Sequence, residues 1–150
     1  MRLTLHSDYA LRVLMYLGLR GRELASIQEI ATAYGISAHH LTKVVQRLGR
    51  GGFVETLRGR GGGLRLARPP EEIRIGAVFR CTEEDLALVG CFTDPRACAI
   101  AGACGLQPLL GEALGAFLAV LDRATLADLI RSRRAMMARR LGLPEDAAAS

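Results

Sequence analysis

Two short helices separated by a sharp turn are the feature that most constrains this fold. Ser26 and Glu29 have the spacing of a capping box, in which each side chain satisfies a free amide at the start of a helix. That helix is expected to end at Gly35, because glycine readily adopts the left-handed conformation that terminates helices. Ser37 can then cap a second helix over residues 38–48.

The spacing of small and apolar residues in this pair matches the helix-turn-helix, whose second helix enters the DNA major groove. Two helices that cross closely require a small side chain at the contact, and Ala31 provides it. Gly35 follows four residues later, in the turn. A purely structural helical hairpin shares some of these features and remains the alternative. The buried contacts of the pair are expected from Ile36, Leu41 and Val44.

A glycine-turned β-hairpin is predicted directly after the second helix. The pattern is strand-like over residues 53–58 and 64–67, and the glycine-rich segment 59–63 joins the two strands. A phosphate-binding glycine loop is a poor alternative, because no strand precedes the glycines and no helix opens from them. Arg58 and Arg60 suit a narrow minor groove, whose negative potential attracts guanidinium groups. The predicted fold class is therefore mainly α with a small β-hairpin wing, a winged helix-turn-helix.

Two more helices are predicted to complete the core of this unit. Apolar residues recur at helical spacing over residues 7–19, and a shorter helix with acidic capping residues is expected over residues 71–80. The core side chains of the shorter helix are expected to be Ile73, Ile75, Val78 and Phe79.

The positive charge of the chain is concentrated in its first half. The formal net charge is +5; residues 1–80 carry 13 Lys or Arg against 6 Asp or Glu, and residues 81–150 carry 7 against 9. Such a concentration suits a polyanion, because each neutralised phosphate releases counterions, although a solvated basic face is the alternative. Arg47 has suitable donors for reading bases, whereas Lys43 and Arg50 suit phosphates. The predicted DNA-binding residues are Ser37, His39, His40, Lys43, Arg47, Arg50, Arg58 and Arg60.

Neither a membrane span nor an export signal is predicted. The longest apolar run, residues 113–121, is far shorter than the roughly 20 residues that a span requires. The N-terminus reaches Asp8 and Arg12 without the apolar block of a signal peptide. A cytoplasmic protein is therefore expected. The protein is also expected not to be an enzyme, because the sequence shows neither a paired acid and base nor an activated nucleophile. The alternative hypothesis is an electron carrier or an enzyme.

A long apolar stripe at helical spacing predicts an amphipathic helix in the C-terminal third. A helix this apolar on so small a domain requires a partner surface, and its copy in a second subunit is the simplest one. A two-fold homodimer would also match a palindromic operator in double-stranded DNA. Packing onto its own domain is the alternative. The stripe consists of Leu106, Leu109, Leu110, Leu114, Phe117, Leu118 and Leu121.

A second, short helix is predicted after the long one. Thr125 and Asp128 have the spacing of a capping box at its start.

Four cysteines, Cys81, Cys91, Cys98 and Cys104, lie within 24 residues, and the chain has none elsewhere. In a reducing compartment, this clustering favours a metal or redox site over disulfides. Zinc sites usually begin with two cysteines about two to four residues apart, and that spacing is missing. Iron–sulfur clusters accept wider spacing. Spacing alone leaves a cluster and three buried or oxidisable thiols as equal alternatives.

Five blocks of sequence resemble one known family over nearly the whole chain, from Met1 to about Leu143. They are MRLTLHSDYALRVLMYL, ISAHHLTKVVQRLGRGGFVETLRGRGGGLRLARP, IRIGAVFRCTE, the three-cysteine loop and LDRATLADLI. On these blocks the chain is identified as similar to the bacterial winged-helix iron–sulfur transcriptional repressors, the family that includes NsrR and IscR.

Within this family, particular residues resemble the nitric-oxide-sensing NsrR branch. The IscR branch completes its cluster with a histidine shortly after the third cysteine, where this chain has Gln107. The NsrR branch takes its fourth ligand from an aspartate in the first helix of the other subunit, and Asp8 matches that position. The segment 39–41 also resembles the start of the NsrR recognition helix. Asp8 could instead cap the first helix. Cys81, expected to be a buried apolar residue, is the alternative fourth ligand.

The resemblance implies a homodimer that holds an iron–sulfur cluster, [4Fe-4S] rather than [2Fe-2S], near the subunit interface. The implied ligands are Cys91, Cys98, Cys104 and Asp8 of the partner subunit. A carboxylate is a more labile ligand than a thiolate for such iron, which would expose it to nitric oxide. Cluster nitrosylation or loss would then release operator DNA and lift repression. The alternatives are an IscR-like regulator of cluster biogenesis or stress genes and a cluster-free repressor controlled by thiols or a partner protein.

These expectations divide the chain into a winged helix-turn-helix domain, a cluster-binding loop, a dimerisation region and a tail. We call the second of these parts the cysteine loop. The dimerisation region contains the long C-terminal helix and the short helix after it. The predicted bounds of the four parts are 1–80, 81–105, 106–143 and 144–150.

Overall fold

Seven α-helices and one antiparallel β-hairpin form the part of the chain that the computed structural model describes, residues 3–94, 96 and 98–144. None of the helices in this part combines the length and apolar character that crossing a membrane requires. The elements are α1 (Leu5–Arg20), α2 (Ile27–Tyr34), α3 (Ala38–Arg50), β1 (Val54–Leu57), β2 (Gly63–Leu66), α4 (Ile75–Thr82), α5 (Leu106–Arg123), α6 (Leu126–Arg131) and α7 (Arg134–Arg140). The predicted fold class is confirmed.

The predicted helix pair is α2 and α3. The Ser26 hydroxyl accepts a hydrogen bond from the Glu29 amide at 3.1 Å, and the Glu29 carboxylate accepts one from the Ser26 amide at 2.6 Å. The hydrogen bond from the Ser26 amide lowers the pKa of Glu29. Gly35 ends α2 with a φ of 64°, in the left-handed region. The predicted side-chain cap by Ser37 is wrong: only its backbone carbonyl engages α3, accepting from the Leu41 amide at 3.2 Å.

Helix α1 runs through the centre of the core and buries one face completely. It begins two residues earlier than predicted, because the Thr4 hydroxyl caps it by accepting a hydrogen bond from the Ser7 amide at 3.3 Å. Asp8 is the fourth residue of α1 and follows the Thr4 cap by four positions, so the alternative in which Asp8 is the cap is wrong. The fully buried side chains of α1 are Ala10, Val13, Leu14 and Leu17.

The helix predicted over residues 71–80 is correct only in its second half. Residues 70–72 form a single 3₁₀ turn, and α4 begins at Ile75. The chain is extended between them because it pairs with residues 124–126: the Ile75 amide donates to the Ala124 carbonyl at 3.0 Å, and the Leu126 amide donates to the Ile73 carbonyl at 2.9 Å. The predicted core side chains Ile73, Ile75, Val78 and Phe79 are all buried.

Helix α5 packs on α4 and leaves much of its surface exposed. The rings of Phe79 and Phe117 meet edge to face at 5.5 Å. Arg80 donates to both carboxylate oxygens of Asp122, at 2.5 and 2.7 Å, and lowers the pKa of Asp122. Every residue of α5 keeps some exposure to solvent. Contacts within the chain therefore cover only part of this helix.

Helix α6 packs directly on α1. Leu126 and Ile130 are buried in the core, and Thr125 and Asp128 form the predicted capping box. The short helix therefore shares the core of the N-terminal unit, although the division of the chain into domains remains a prediction. Of the predicted tail at 144–150, only Pro144 lies within the described residues.

Candidate nucleic-acid interface and cysteine loop

One face of α3 is buried and the opposite face is basic and exposed. The buried face consists of Leu41, Val44, Val45 and Leu48. Helical periodicity places residues 39, 43 and 50 together on the other side. The predicted DNA-binding residues that are exposed on this helix and at its start are Ser37, His39, His40, Lys43 and Arg50.

The hairpin is held beside the helix pair by a third extended segment. Strands β1 and β2 pair in antiparallel register from Val54 with Leu66 to Leu57 with Gly63. Ala25, just before α2, forms an isolated bridge with Leu64, with N–O distances of 3.0 and 2.8 Å. The hairpin is therefore fixed relative to α2. Its turn carries the two predicted minor-groove residues, Arg58 and Arg60, and both are exposed.

Arg47, the predicted base reader, is directed toward α4. Its Nε donates to the Cys81 carbonyl at 2.7 Å, and its Nη1 lies 3.1 Å from a carboxylate oxygen of Glu84. The Arg47 side chain is 35% exposed, whereas that of Glu84 is 85% exposed. Arg47 therefore connects the candidate recognition helix to the first residues of the cysteine loop. To reach a base, it would have to leave these two partners.

The first turn of α1 is also connected to the start of the cysteine loop. The hydroxyls of Ser7 and Thr82 form a buried hydrogen bond of 2.7 Å. The Thr4 amide and hydroxyl donate to the Glu83 carboxylate at 3.1 and 3.0 Å. Burial lowers the pKa of the neighbouring His6, and the Arg47 charge adds to this effect. Sequence reasoning missed these contacts, because the partners lie more than 70 residues apart and share no local pattern.

Asp8 lies on the outer side of α1 beside Arg12. Arg12 contacts the carboxylate at 2.8 and 3.1 Å, and both side chains are 37% exposed. One turn earlier, Leu5 is 68% exposed. A second chain could therefore reach this face of α1, and it would have to compete with Arg12 for Asp8.

The three motif cysteines occupy an irregular segment between α4 and α5. Cys91 lies in a 3₁₀ turn and is half-buried, Cys104 is half-buried just before α5, and Cys98 is exposed. Gln107, in the first turn of α5, donates to the Cys91 carbonyl at 3.4 Å and so connects this turn to the helix. Cysteine thiolates are the usual ligands of iron–sulfur clusters. Within the described residues, however, no three His, Cys, Asp or Glu side chains gather as a metal-binding set.

Cys81 lies apart from those three cysteines. Its Sγ contacts the end of α3: it is 3.7 Å from the Arg47 carbonyl oxygen, and a Cβ added to Gly51 would lie 2.7 Å from it. The residue is half-buried against the hydrophobic core. The sequence predicted a buried apolar residue; Cys81 packs against the core as an apolar residue does, but it is only partly buried.

Three helices around a core, a hairpin wing after the third and a long helix beyond them define a winged helix-turn-helix regulator. Residues 3–132 match the Rrf2 family, described as iron-dependent transcriptional regulators. The chain belongs to this family and is a transcriptional regulator.

Individual relatives agree with this assignment. The HTH-type transcriptional regulators NsrR of Bacillus subtilis and Geobacillus kaustophilus are 51% and 52% identical to the chain; each match covers 91% of this chain, and 95% and 94% of the respective relative. The solved structure of CymR, the global cysteine regulator of B. subtilis, is 27% identical, with a TM-score of 0.72 over 88% of this chain and 98% of CymR. T. potens IscR is 25% identical, with a TM-score of 0.70 over 88% of each chain. The predicted family is confirmed.

Proposed function

We propose that this regulator is a homodimeric repressor whose DNA binding is controlled by nitric oxide through an iron–sulfur cluster. The iron-dependent family and the NsrR relatives support this proposal. One observation carries it: Cys81 and Thr82, which end α4 and are the first residues of the cysteine loop, are hydrogen-bonded to α3 and α1 respectively. A change in the loop can thereby reach the helix that reads DNA.

The proposed DNA contacts come from two elements. Helix α3 would enter the major groove with His39 and His40, and Ser37, Lys43 and Arg50 would contact phosphates. In the minor groove, the wing would insert Arg58 and Arg60. Base reading by Arg47 remains part of the proposal, but only for a state in which Arg47 has left the Cys81 carbonyl and Glu84.

The proposed cluster ligands are Cys91, Cys98, Cys104 and Asp8 of the partner subunit, with [4Fe-4S] preferred to [2Fe-2S]. When bound, the cluster would supply an iron that reacts with nitric oxide. Asp8 is a better candidate than Cys81 for the fourth ligand. The Asp8 carboxylate lies on an accessible face of α1, whereas the Cys81 sulfur packs on Gly51.

The chain's own contacts provide two routes from the cysteine loop to the DNA-binding elements. Movement of residues 81–84 would act on α3 through Arg47, and on α1 through the Ser7–Thr82 hydrogen bond. Two-state coupling between sites typically changes affinity by about 5- to 150-fold, or roughly 1–3 kcal/mol. The few hydrogen bonds in these routes have the strength to supply coupling of that order.

Helix α5 is the proposed dimer contact. Leu106, Leu109 and Val120 are 55%, 60% and 55% exposed, and α4 covers only one side of the helix. A two-fold copy of α5 would bury these side chains and place two recognition helices on a palindromic operator.

Matched cysteine variants test the cluster assignment. The protein is purified without oxygen, and an operator is selected from random double-stranded DNA. Cys98→Ala is expected to lose the visible absorbance, the bound iron and sulfide, and the response to nitric oxide, while it remains a folded dimer. Cys81→Ala, the control, is expected to keep all of them. A colourless wild-type protein whose DNA binding depends on dithiothreitol would favour thiol regulation and contradict the cluster.

A further inference from the structure

A cleft of about 670 Å³ lies at the base of the wing, between the hairpin, the end of α1 and α6. We call it the wing-base cleft. Its floor includes Gly18, Ala127 and Ile130, where α1 and α6 cross closely: a Cβ added to Gly18 would lie 3.0 Å from Ile130 Cδ1. The side of the cleft formed by α6 is therefore fixed firmly to the DNA-binding unit.

The cleft is lined by five arginines and two glutamates. Arg65 is paired with Glu55, and Arg68 donates to the Gly52 carbonyl at 3.0 Å. Arg22 and Arg131 are exposed, and neither forms a salt bridge within the part of the chain that the structure describes. The cleft therefore has an excess of positive charge.

Two of the five arginines in the cleft come from residues 123–140, a basic segment within the otherwise acidic second half of the chain. Residues 81–150 are acidic as a whole, yet residues 123–140 contain six arginines and only one acidic residue, Asp128. Because α6 packs on α1, Arg131 and Arg134 from this segment line the same cleft as the wing residues. Arg134 also donates to the carbonyls of Gly18 and Leu19, at 3.2 and 3.0 Å.

We propose that the wing-base cleft binds the phosphates of DNA that flanks the operator, beyond the base pairs read by α3 and the wing tip. This inference rests on the DNA binding proposed above. Each wing strand has four residues, so tip and base are about 13 Å apart, a length that DNA covers in roughly four base pairs. Arg22, Arg68 and Arg131 are exposed at the rim, which suits successive phosphates of a strand better than a small enclosed anion.

Salt dependence measured on two lengths of DNA tests this proposal. One duplex ends at the last base pair contacted by the wing, and the other extends about ten base pairs further on each side. For the Arg22→Ala/Arg131→Ala double variant, the slope of log affinity against log salt should fall on the long duplex, by about 0.9 for each lost phosphate contact. On the short duplex its slope should equal that of the wild type.

Two controls accompany this variant. Arg123→Ala removes an arginine of the same segment that does not line the cleft, and it should match the wild type on both duplexes. The Arg22→Lys/Arg131→Lys variant keeps both charges and should retain most of the wild-type slope. Unfolding curves of all variants confirm that each is folded.

Three results would overturn the inference. The first is a slope for the double variant that falls equally on both duplexes, and the second is a slope that does not fall on the long duplex. The third is that inorganic phosphate, added at constant ionic strength, displaces the short duplex from the wild type but not from the double variant. The last result would indicate a small-anion site. A wild-type protein that binds neither duplex would contradict the proposed function itself, whereas equal wild-type slopes on both would contradict only the cleft.

Discussion

Replacing Arg47 distinguishes a base-reading residue from one that positions the recognition helix. Arg47→Ala removes the 2.7 Å hydrogen bond to the Cys81 carbonyl and the 3.1 Å contact with Glu84. A hydrogen bond from a charged donor contributes about 1.5–3 kcal/mol, with less expected at this partly exposed site, and an exposed ion pair adds about 0–1 kcal/mol. We therefore expect Arg47→Ala to lower the free energy of unfolding by about 1–2 kcal/mol. Glu84→Gln should lower it by less than about 1 kcal/mol.

Urea unfolding and a panel of operator variants provide the assay. If Arg47 positions α3, Arg47→Ala should weaken binding by a similar factor on the selected operator and on each of its single base-pair variants. A base-reading arginine instead discriminates at one position, by about 1–3 kcal/mol. Unchanged stability together with lost discrimination at a single base pair would refute the positioning role.

Several further substitutions test the fold and the proposed dimer. Ser26→Ala should cost about 1 kcal/mol by removing the cap of α2. Since the pKa of Glu29 is lowered in the folded state, its stabilisation is present above its ordinary pKa and is lost as pH falls through the lowered value; urea unfolding should show this loss in the wild type and a flatter pH dependence in Glu29→Gln, which removes the titrating group. A Cβ at residue 76 would lie 1.9 Å from Asp122 Oδ1. Gly76→Ala should therefore lower the free energy of unfolding less in an Asp122→Ala background than in the wild type, and an additive double-mutant cycle would contradict this. Leu109→Glu should produce folded monomers in analytical ultracentrifugation, and a persistent dimer would exclude α5 as the main contact.

Local signals predicted the helices well where both partners of an interaction are close in sequence. The Ser26–Glu29 and Thr125–Asp128 boxes each span three residues, and both form. The start of α4 was mispredicted because residues 73–74 are held extended by residues 124–126, and no local pattern reveals such a pairing. The Ser37 cap failed because spacing identifies a capping position without fixing the hydroxyl's orientation.

The sequence predicted which residues of the candidate site are exposed, but it did not predict the tertiary contacts that those residues make. Exposure of His39, Lys43 and Arg60 follows from helical and hairpin periodicity. The direction of Arg47 does not, because its partners, Cys81 at the end of α4 and Glu84 just beyond it, lie 34 and 37 residues later in the chain. The sequence also concealed the contribution of Arg131 to the basic surface, since the position of α6 on α1 is a tertiary contact.

Operator affinity during an anaerobic nitric oxide titration tests the proposed function most directly. Fluorescence anisotropy of labelled operator and visible absorbance are recorded on the same sample of the wild-type dimer. The affinity is expected to fall by about 5- to 150-fold as the cluster absorbance is lost, with no such change in Cys98→Ala. An affinity that stays constant while the absorbance disappears would show that the cysteine loop does not control DNA binding.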